Sequence, residues 1–181
     1  MFLSGTEIIF NHINTSEYLA LSKKISDTYR LLYRGLGFFD DHLFAGSHAI
    51  RSIIDKKHFV KKGELSRAFS DYPVFIIGSG PSLDEDIPFI RKNQDKAIII
   101  ACGTAIDALY HAGIKPDFYA NTERVPEISQ ALKVIPDKEF FEDIVLLTGD
   151  VCHPLTTAIF RYTAIFSKPD EPTFPYLSEF I

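Results

Sequence analysis

The stretch VFIIGSGPSL, from Val74 to Leu83, predicts how this chain folds. Its apolar run ends abruptly in the turn residues Gly78 to Pro81, which indicates a buried strand that breaks into a tight turn and then a helix. Glycines at positions 78 and 80 permit positive φ and let a ligand approach the backbone closely. Ser82 and Glu85 have the spacing of a capping box, so the N–H groups of a helix start are expected to face the turn, where they suit a phosphate.

The glycine turn matches neither of the common nucleotide-binding motifs. Leu83 stands where the dinucleotide motif G-x-G-x-x-G requires its third glycine, and no Lys-Ser or Lys-Thr pair completes a P-loop. A strand-to-helix turn without a ligand is therefore the alternative interpretation. Because Pro88 is tolerated only near a first turn, the regular helix is expected to begin near Asp86.

The composition is ordinary for a globular protein and argues against several classes of function. The 181 residues, 46% hydrophobic and 24% charged, suffice for one domain with a helical extension. A net charge of −5 without a basic block argues against nucleic-acid binding. Cys102 and Cys152 are too few for a disulfide framework or a zinc site and indicate reduced thiols in a cytoplasmic protein. Neither a signal peptide nor a membrane-spanning apolar run is recognisable.

The first 72 residues predict a helical extension. Residues 15–35 and 38–58 carry apolar side chains at helical spacing, with glycines at 35 and 37 between them. One side of the second predicted helix carries Leu43, Phe44, Ser47, Ile50 and Ile54. So large an apolar load predicts that the helices pack on the rest of the chain. The polar segment 60–73 is the predicted linker.

From Pro73 onward, predicted strands alternate with predicted helices. Apolar runs at 74–78, 97–102, 117–121 and 144–148 predict strands, and helices are expected near 105–112 and 126–134. The pattern predicts an α/β fold, a Rossmann-like parallel sheet with flanking helices, preceded by the N-terminal helical extension. The predicted domains are a helical lead-in at 1–72, packed on the core, and a Rossmann-like nucleotide-binding domain at 73–181. Beyond Gly149 the sequence predicts irregular structure.

Four strand ends are expected to meet at one edge of this sheet, where open parallel sheets bind their ligands. The turn Gly78–Ser82 is joined there by Gly103-Thr104, by Asn121 and Glu123, and by residues 148–150. Glycine-turn N–H groups suit a phosphate, and amide or carboxylate groups suit ribose hydroxyls or a base edge, so the collection predicts a nucleotide. Each residue alone also fits a structural role: Gly103-Thr104 as a helix start, Asn121 as a turn former and Asp150 as an exposed loop acid.

No motif identifies the catalytic residues, because neither a Ser–His–Asp order nor H-E-x-x-H is present. The candidates are Glu123 and His153. His153 follows the fourth strand, and the ordinary pKa of histidine suits a general base, although a loop histidine next to a proline is more often structural. Asp117 and Glu123 carry little information as a pair of metal ligands, and no metal site is predicted.

The segment GSGPSLDEDIPFIRKNQDKAIIIACGTAIDALYHAGIKPDFYANTE, residues 78–123, resembles the central domain of the Maf proteins, the motility-associated factors of bacterial flagellin glycosylation. That domain is also called pterin diphosphokinase-like, after archaeal members. The preceding YRGLGFFDDHL, residues 33–43, and its helix also match the Maf lead-in, and together the resemblance covers roughly residues 11–150. Maf proteins are much longer, so the chain is expected to be a short paralogue or a part of such a protein.

The resemblance implies a sialyltransferase-like fold and transfer of a nonulosonic acid, of pseudaminic or legionaminic type, from a CMP donor to Ser or Thr of flagellin. It implies that the matched positions surround CMP: Gly78, Ser79, Gly80, Pro81, Ser82, Gly103, Thr104 and Glu123. One alternative is a nucleotide-binding module without turnover of its own. Another, as in the archaeal relatives, is diphosphate transfer from ATP to a hydroxymethylpterin, which needs Mg²⁺ held by acids at the strand ends.

Overall fold

The structure, a computed structural model, describes residues 15–24, 39–61, 63, 68, 70–167 and 174. The chain divides into two compact units, residues 1–41 and 42–181. In the first unit residues 16–24 are helical (α1), and the remainder of the helix predicted at 15–35 lies outside the described residues. The helix predicted at 38–58 is α2, Phe39–Ile54, which ends earlier than expected.

Five parallel strands form one sheet in the second unit, and their order in the sheet is their order in the chain. They are β1 Val74–Ile77, β2 Ile98–Cys102, β3 Phe118–Ala120, β4 Val145–Gly149 and β5 Tyr162–Phe166. The strands predicted near 74–78, 97–102, 117–121 and 144–148 are confirmed as parallel neighbours.

The expectation of irregular structure after Gly149 is wrong, because β5 pairs with β4 over its whole length. In β5 the buried positions are Thr163 and Ile165, whereas Tyr162 and Phe166 are exposed. A strand that buries a threonine and exposes two aromatic residues lacks the apolar run that marks the other strands.

The helices that follow the strands are α3 Leu83–Asn93, α4 Ala105–His111, α5 Glu127–Leu132 and α6 Pro154–Thr157, with 3₁₀ turns at Gln94–Lys96 and Glu139–Phe141. Because the strands lie in chain order, right-handed crossovers bring these helices to one face of the sheet. The core on that face includes Ile99, Ala101, Tyr119 and Leu146. Tyr119 stacks on Phe160 at a centroid distance of 5.5 Å.

The start of α3 differs from the prediction in two respects. The helix begins at Leu83 and not near Asp86, and Pro88 lies inside it. Pro88 has no backbone N–H, so the helix lacks one hydrogen bond. Leu83 and Ile90 are both buried, and their packing in the core offsets the loss of that bond. The Ser82 side chain makes no capping hydrogen bond, so the predicted capping box does not form.

Within the second unit, α2 buries its small residues and exposes its large ones. Ala45, Ala49 and Ser52 are at most 3% exposed. The large apolar residues of the other side are 57–64% exposed: Leu43, Phe44, Ile50 and Ile54. The side of α2 that carries the large apolar residues is therefore exposed, and the helix packs through the side whose small residues allow the closer approach.

The segment after α2 runs along β5. Lys57 Nζ donates to the carbonyl of Thr157 at 2.6 Å, and His58 N donates to Thr163 Oγ1 at 2.8 Å. Phe59 forms an isolated parallel bridge with Ile165. These contacts attach residues from the predicted lead-in to the edge of the sheet, while the domain division at 72/73 stays a prediction.

Candidate functional site

The loops that follow β1 and β2 are joined by a hydrogen bond between two side-chain hydroxyls. Thr104 Oγ1 donates to Ser79 Oγ at 2.7 Å. Gly103, at the turn out of β2, has a φ of +55°, which favours glycine at this position. Its backbone N–H donates to the carbonyl of Ala120 in β3 at 3.2 Å, so this turn connects two strand ends. The structure thus brings the predicted residues of the first two loops together.

The glycines of the first loop do not use the positive φ that glycine permits. Among the described residues positive φ occurs at Gly103 and Gly113 and, outside glycine, at Lys56. A Cβ at position 78 or 80 would meet no protein atom within 4 Å. Both glycines therefore face open space, which leaves room for a ligand at the backbone.

A cavity of about 430 Å³ opens between α4 and α5 at the carboxyl ends of β2 and β3. Its lining includes the predicted residues Gly103, Thr104, Asn121 and Glu123. The deeper wall is apolar and includes Ile106, Ile128, Leu132 and Ile135. Apolar walls with a few polar groups are typical of small-molecule sites. The loop 78–82 does not line this cavity but reaches its rim through the bond between Ser79 and Thr104.

Asp107 lines the same cavity and carried no signal in the sequence. Its Oδ1 is buried and receives no hydrogen bond from the described residues, although His111 Nε2 lies 3.6 Å away. The side chain as a whole is half exposed. A carboxylate oxygen in this situation is ready to accept a hydrogen bond from a ligand hydroxyl.

Asn121 and Glu123 have different surroundings although both line the cavity. Asn121 is 6% exposed, and its carbonyl accepts from Thr148 Oγ1 at 2.6 Å. Its side-chain amide donates to the carbonyl of Glu123 at 3.5 Å. Asn121 therefore ties the ends of β3 and β4 together, while Glu123 is exposed at the cavity rim. Asp150, read in the alternative interpretation as an exposed loop acid, is 2% exposed and accepts from Ser167 Oγ at 2.6 Å.

His153 follows β4 and caps α6, because Leu155 N donates to His153 Nδ1 at 3.1 Å. Its ring lies edge-on to that of His48, with a centroid distance of 4.9 Å. Burial lowers the pKa of His153, the nearby His48 lowers it further, and Glu127 acts in the opposite direction. His48 Nδ1 lies 2.8 Å from the carbonyl of Val151. Sequence reasoning missed His48, since it sits on α2 far from the strand ends in the chain and belongs to no motif.

Within the described part of the chain, no group of three or more His, Cys, Asp or Glu residues is arranged to hold a metal ion. None of the helices in this part of the chain is both long and apolar enough to cross a membrane.

Two known proteins are similar to this chain over part of their length. The solved Maf glycosyltransferase from Magnetospirillum magneticum AMB-1 matches with a TM-score of 0.72 and 28% identity, over 89% of this chain and 25% of that chain. An uncharacterized protein from Treponema pallidum (strain Nichols) is 40% identical over 48 residues, which are 26% of this chain and 23% of that protein. The matches thus take in about a quarter of each relative.

The family described as 6-hydroxymethylpterin diphosphokinase MptE-like matches residues 49–180. This range contains the whole sheet, the cavity and the loops joined by Ser79 and Thr104. The five-stranded parallel sheet with its flanking helices agrees with the Maf structure. The chain therefore belongs to the MptE-like family, and its fold is that found in a Maf glycosyltransferase.

Proposed function

We propose that this protein is a glycosyltransferase domain that binds the nucleotide of an activated sugar at the carboxyl edge of its sheet. The donor is a CMP-activated nonulosonic acid of pseudaminic or legionaminic type, and the acceptor is a Ser or Thr hydroxyl of flagellin. Two observations support the class of reaction: the match to a solved Maf glycosyltransferase and membership of the MptE-like family. Two free cysteines are consistent with a cytoplasmic location for this activity.

The observation that carries the proposal is the hydrogen bond between Ser79 and Thr104, because it places the open glycine loop beside the cavity. A bound nucleotide needs both the loop, for its phosphate, and the cavity, for its nucleoside. Free space at Gly78 and Gly80 suits a phosphate that approaches the backbone. The apolar cavity suits the nucleoside.

The polar groups of the cavity supply what a nucleoside requires. Asp107 Oδ1 has no hydrogen bond from the described residues and accepts one from a ribose hydroxyl or a base amine in this proposal. Glu123 at the rim is the second carboxylate and is also a catalytic candidate. The proposed ligand-binding set is Gly78, Ser79, Gly80, Pro81, Ser82, Gly103, Thr104, Asn121 and Glu123, extended by Asp107.

A second candidate is ATP-dependent diphosphate transfer to a hydroxymethylpterin, favoured by the description of the matching family. That reaction uses Mg²⁺, which is commonly held by one or two carboxylates together with substrate phosphates. Asp107 and Glu123 line the cavity and fit such a sparse ligand set. The ion would neutralise charge on the transferred phosphates. A nucleotide-binding module without turnover is the third candidate.

A thermal-shift panel of CMP, CDP, ATP and NAD, each with and without Mg²⁺, separates the transferase from the diphosphokinase, and an assay of donor turnover separates the transferase from a binding module. A ligand that binds only the folded state raises the melting temperature. Stabilisation by CMP without Mg²⁺ is the result expected for the transferase. Stabilisation by ATP only in the presence of Mg²⁺ would favour the diphosphokinase instead. If none of the nucleotides shifts the melting temperature, the nucleotide-binding proposal is wrong.

A further inference from the structure

Strand β1 lies at an open edge of the sheet. The opposite edge, at β5, is covered, because Val60 N donates to the carbonyl of Ile165 and Ile165 N donates to that of His58. Beyond β1 no further strand pairs among the described residues. Edge strands are usually protected by charged residues, proline or a bulge. All four residues of β1 are apolar and its pairing with β2 is regular, so the strand itself carries none of these protections.

The hydrogen bonds of β1 show which of its backbone groups face outward. The carbonyl of Pro73 accepts from Ile98 N in β2 at 2.8 Å. Since successive residues of a strand direct their backbone groups to alternate sides, the N–H and C=O groups of Val74 and Ile76 point away from β2. Within the described part of the chain these groups have no hydrogen-bond partner. They are the donors and acceptors that an added strand uses.

The side chains along this edge are also open to contact. Val74 and Ile76, on one face of the strand, are 49% and 73% exposed. On the other face, Phe75 lies against Phe89 of α3 with ring centroids 5.8 Å apart, and Phe89 is 60% exposed. A strand added here would place alternate side chains beside each of these two apolar surfaces. The edge therefore fits an extended polypeptide that carries apolar residues.

A groove of about 470 Å³ lies along β1 and α3 and reaches the glycine loop. Gly78 and Ser82, which belong to the proposed phosphate loop, line this groove together with β1. At ~3.3 Å per residue, Gly78 lies about 7 Å further along the strand than Ile76. An added strand that pairs beside Ile76 therefore reaches the loop two residues later. The groove thus leads to the point at which the donor phosphate is proposed to bind.

The charge beside this groove is negative. Asp86 is part of the lining, and Asp84 and Glu85 precede it in the first turn of α3. None of these three carboxylates forms an ion pair with a described residue. A basic residue of an added strand would meet Asp86. Charge complementarity therefore favours a polypeptide that carries lysine or arginine next to its apolar residues.

We propose that the open edge of β1 binds the acceptor of the transfer reaction, as an extended polypeptide segment that adds one strand to the sheet. This inference rests on the proposed glycosyl transfer. The segment carries apolar residues at alternate positions, a basic residue that faces Asp86, and a serine or threonine hydroxyl at the level of Gly78. Backbone pairing with Val74 and Ile76 gives affinity, and the apolar and acidic surfaces select the segment.

The first test measures peptide binding to the full chain without any donor. The probe is a fluorescently labelled peptide of about nine residues, in which valine alternates with threonine around one central serine and one end carries a lysine. Fluorescence anisotropy gives its affinity, and hydrogen exchange followed by NMR gives the protection of single amides. We expect the peptide to slow exchange at the Val74 and Ile76 amides, because both would donate to the added strand. Binding without protection at these amides, or no binding, would overturn the inference.

Ile76→Pro tests the backbone pairing, because it removes an outward N–H and no hydrogen bond between β1 and β2. Proline is tolerated in an edge strand where the N–H faces solvent, so the variant should fold, which circular dichroism checks. We expect its affinity for the peptide to fall about tenfold, with CMP binding unchanged. Ile76→Val, the matched control, keeps the N–H and a branched apolar side chain and should bind the peptide within about twofold of the parent. Equal peptide affinity in folded Ile76→Pro and in Ile76→Val would overturn the inference.

Asp86→Asn tests the acidic surface without touching the strand. Asp84→Asn is its matched control, since it removes the same charge from the same helical turn but from outside the groove lining. We expect Asp86→Asn to weaken binding of the lysine peptide by about two- to fivefold, and Asp84→Asn to weaken it less. Replacing the lysine of the peptide by glutamate should weaken binding to the parent more than binding to Asp86→Asn. An equal loss in both variants would overturn the placement of the basic residue at Asp86.

Three further outcomes separate this inference from its alternatives. If sedimentation of the peptide-free protein shows a dimer that Ile76→Pro dissociates, a second copy of this chain occupies the edge and the inference is wrong. If the parent binds CMP but not the peptide, the inference fails while the proposed nucleotide binding stands. If the parent binds the peptide with protected Val74 and Ile76 amides but does not bind CMP, the edge is confirmed as a peptide site, and the proposed function fails together with the acceptor role.

Discussion

Thr104 donates a hydrogen bond of 2.7 Å to Ser79, a residue 25 positions earlier in the chain. The bond joins the turn after β1 to the turn after β2, and both side chains are exposed. An exposed hydrogen bond contributes little to the free energy of unfolding. Its consequence in this fold is positional, because it sets the open glycine loop against the rim of the cavity.

Thr104→Val should therefore separate binding from stability. Valine keeps the shape of threonine and removes the donor. We expect the free energy of unfolding to change by less than about 1 kcal/mol and the affinity for CMP to fall several-fold. Urea denaturation and isothermal titration calorimetry measure the two quantities. Unchanged affinity would mean that the link between the loops is irrelevant to binding.

Gly80→Val tests the free space at the first loop. Because φ at Gly80 is not positive and a Cβ would meet no atom within 4 Å, the variant should fold, with an unfolding free energy within about 1 kcal/mol of the parent. Its side chain would occupy the space assigned to the phosphate, so CMP binding should be lost. Binding equal to the parent's in a folded Gly80→Val protein would show that the loop is only a turn.

Gly113→Ala is the matched control for that experiment. Gly113 has a φ of +68°, so alanine there should destabilise the protein by about 1–2 kcal/mol without changing CMP affinity.

Ser82→Ala adds a second comparison. Since Ser82 makes no capping hydrogen bond, its removal should alter the unfolding free energy by less than about 0.5 kcal/mol, and any larger effect on CMP binding would report contact with the ligand.

The sequence predicted those parts of the fold whose signals are local. The strand at Ile98–Cys102 is a continuous apolar run closed by a glycine, and covered strands of parallel sheets have this pattern. The strand at Tyr162–Phe166 was missed because it buries Thr163 while exposing its terminal aromatic residues. Its place at the edge of the sheet depends on pairing with β4, which is not encoded in its own residues.

The sequence likewise predicted one part of the candidate site and missed another. Glycines and polar residues at strand ends predicted the loops and part of the cavity lining, because the carboxyl ends of parallel strands lie at one edge of the sheet. The sequence did not predict His48 and Asp107, since a single histidine or aspartate on a helix has no local pattern. The spacing of Ser82 and Glu85 predicted a capping box that does not form, which shows that a short motif permits a hydrogen bond without requiring it.

The stability of the protein should depend on pH through His153. Its pKa in the folded state lies below the ordinary value of 6.5, so the unfolded chain takes up the proton first as the pH falls. Stability is therefore fully present above about pH 6.5 and is lost as the pH falls from there toward the folded pKa. Urea midpoints measured at about pH 7.5 and pH 5.5 should differ less in His153→Asn than in the parent. An equal difference in both proteins would contradict the lowered pKa.

The last prediction concerns the two faces of α2. Ile50 is 60% exposed, whereas the neighbouring Ala49 is 1% exposed against the rest of the second unit. Ile50→Lys should therefore change the unfolding free energy by less than about 0.5 kcal/mol, since lysine keeps helix propensity at an exposed position. Ala49→Leu adds volume to a filled contact and should destabilise the protein by about 1–3 kcal/mol.

Chemical denaturation of both variants beside the parent measures these differences. Size and hydrophobicity alone would give the opposite order, because replacing a large apolar residue by lysine is usually the more damaging change when that residue is buried. If Ile50→Lys proves the more destabilising variant, the large apolar face of α2 is buried after all. Equal effects would mean that the two faces are packed alike, in conflict with the burial of Ala49 and the exposure of Ile50.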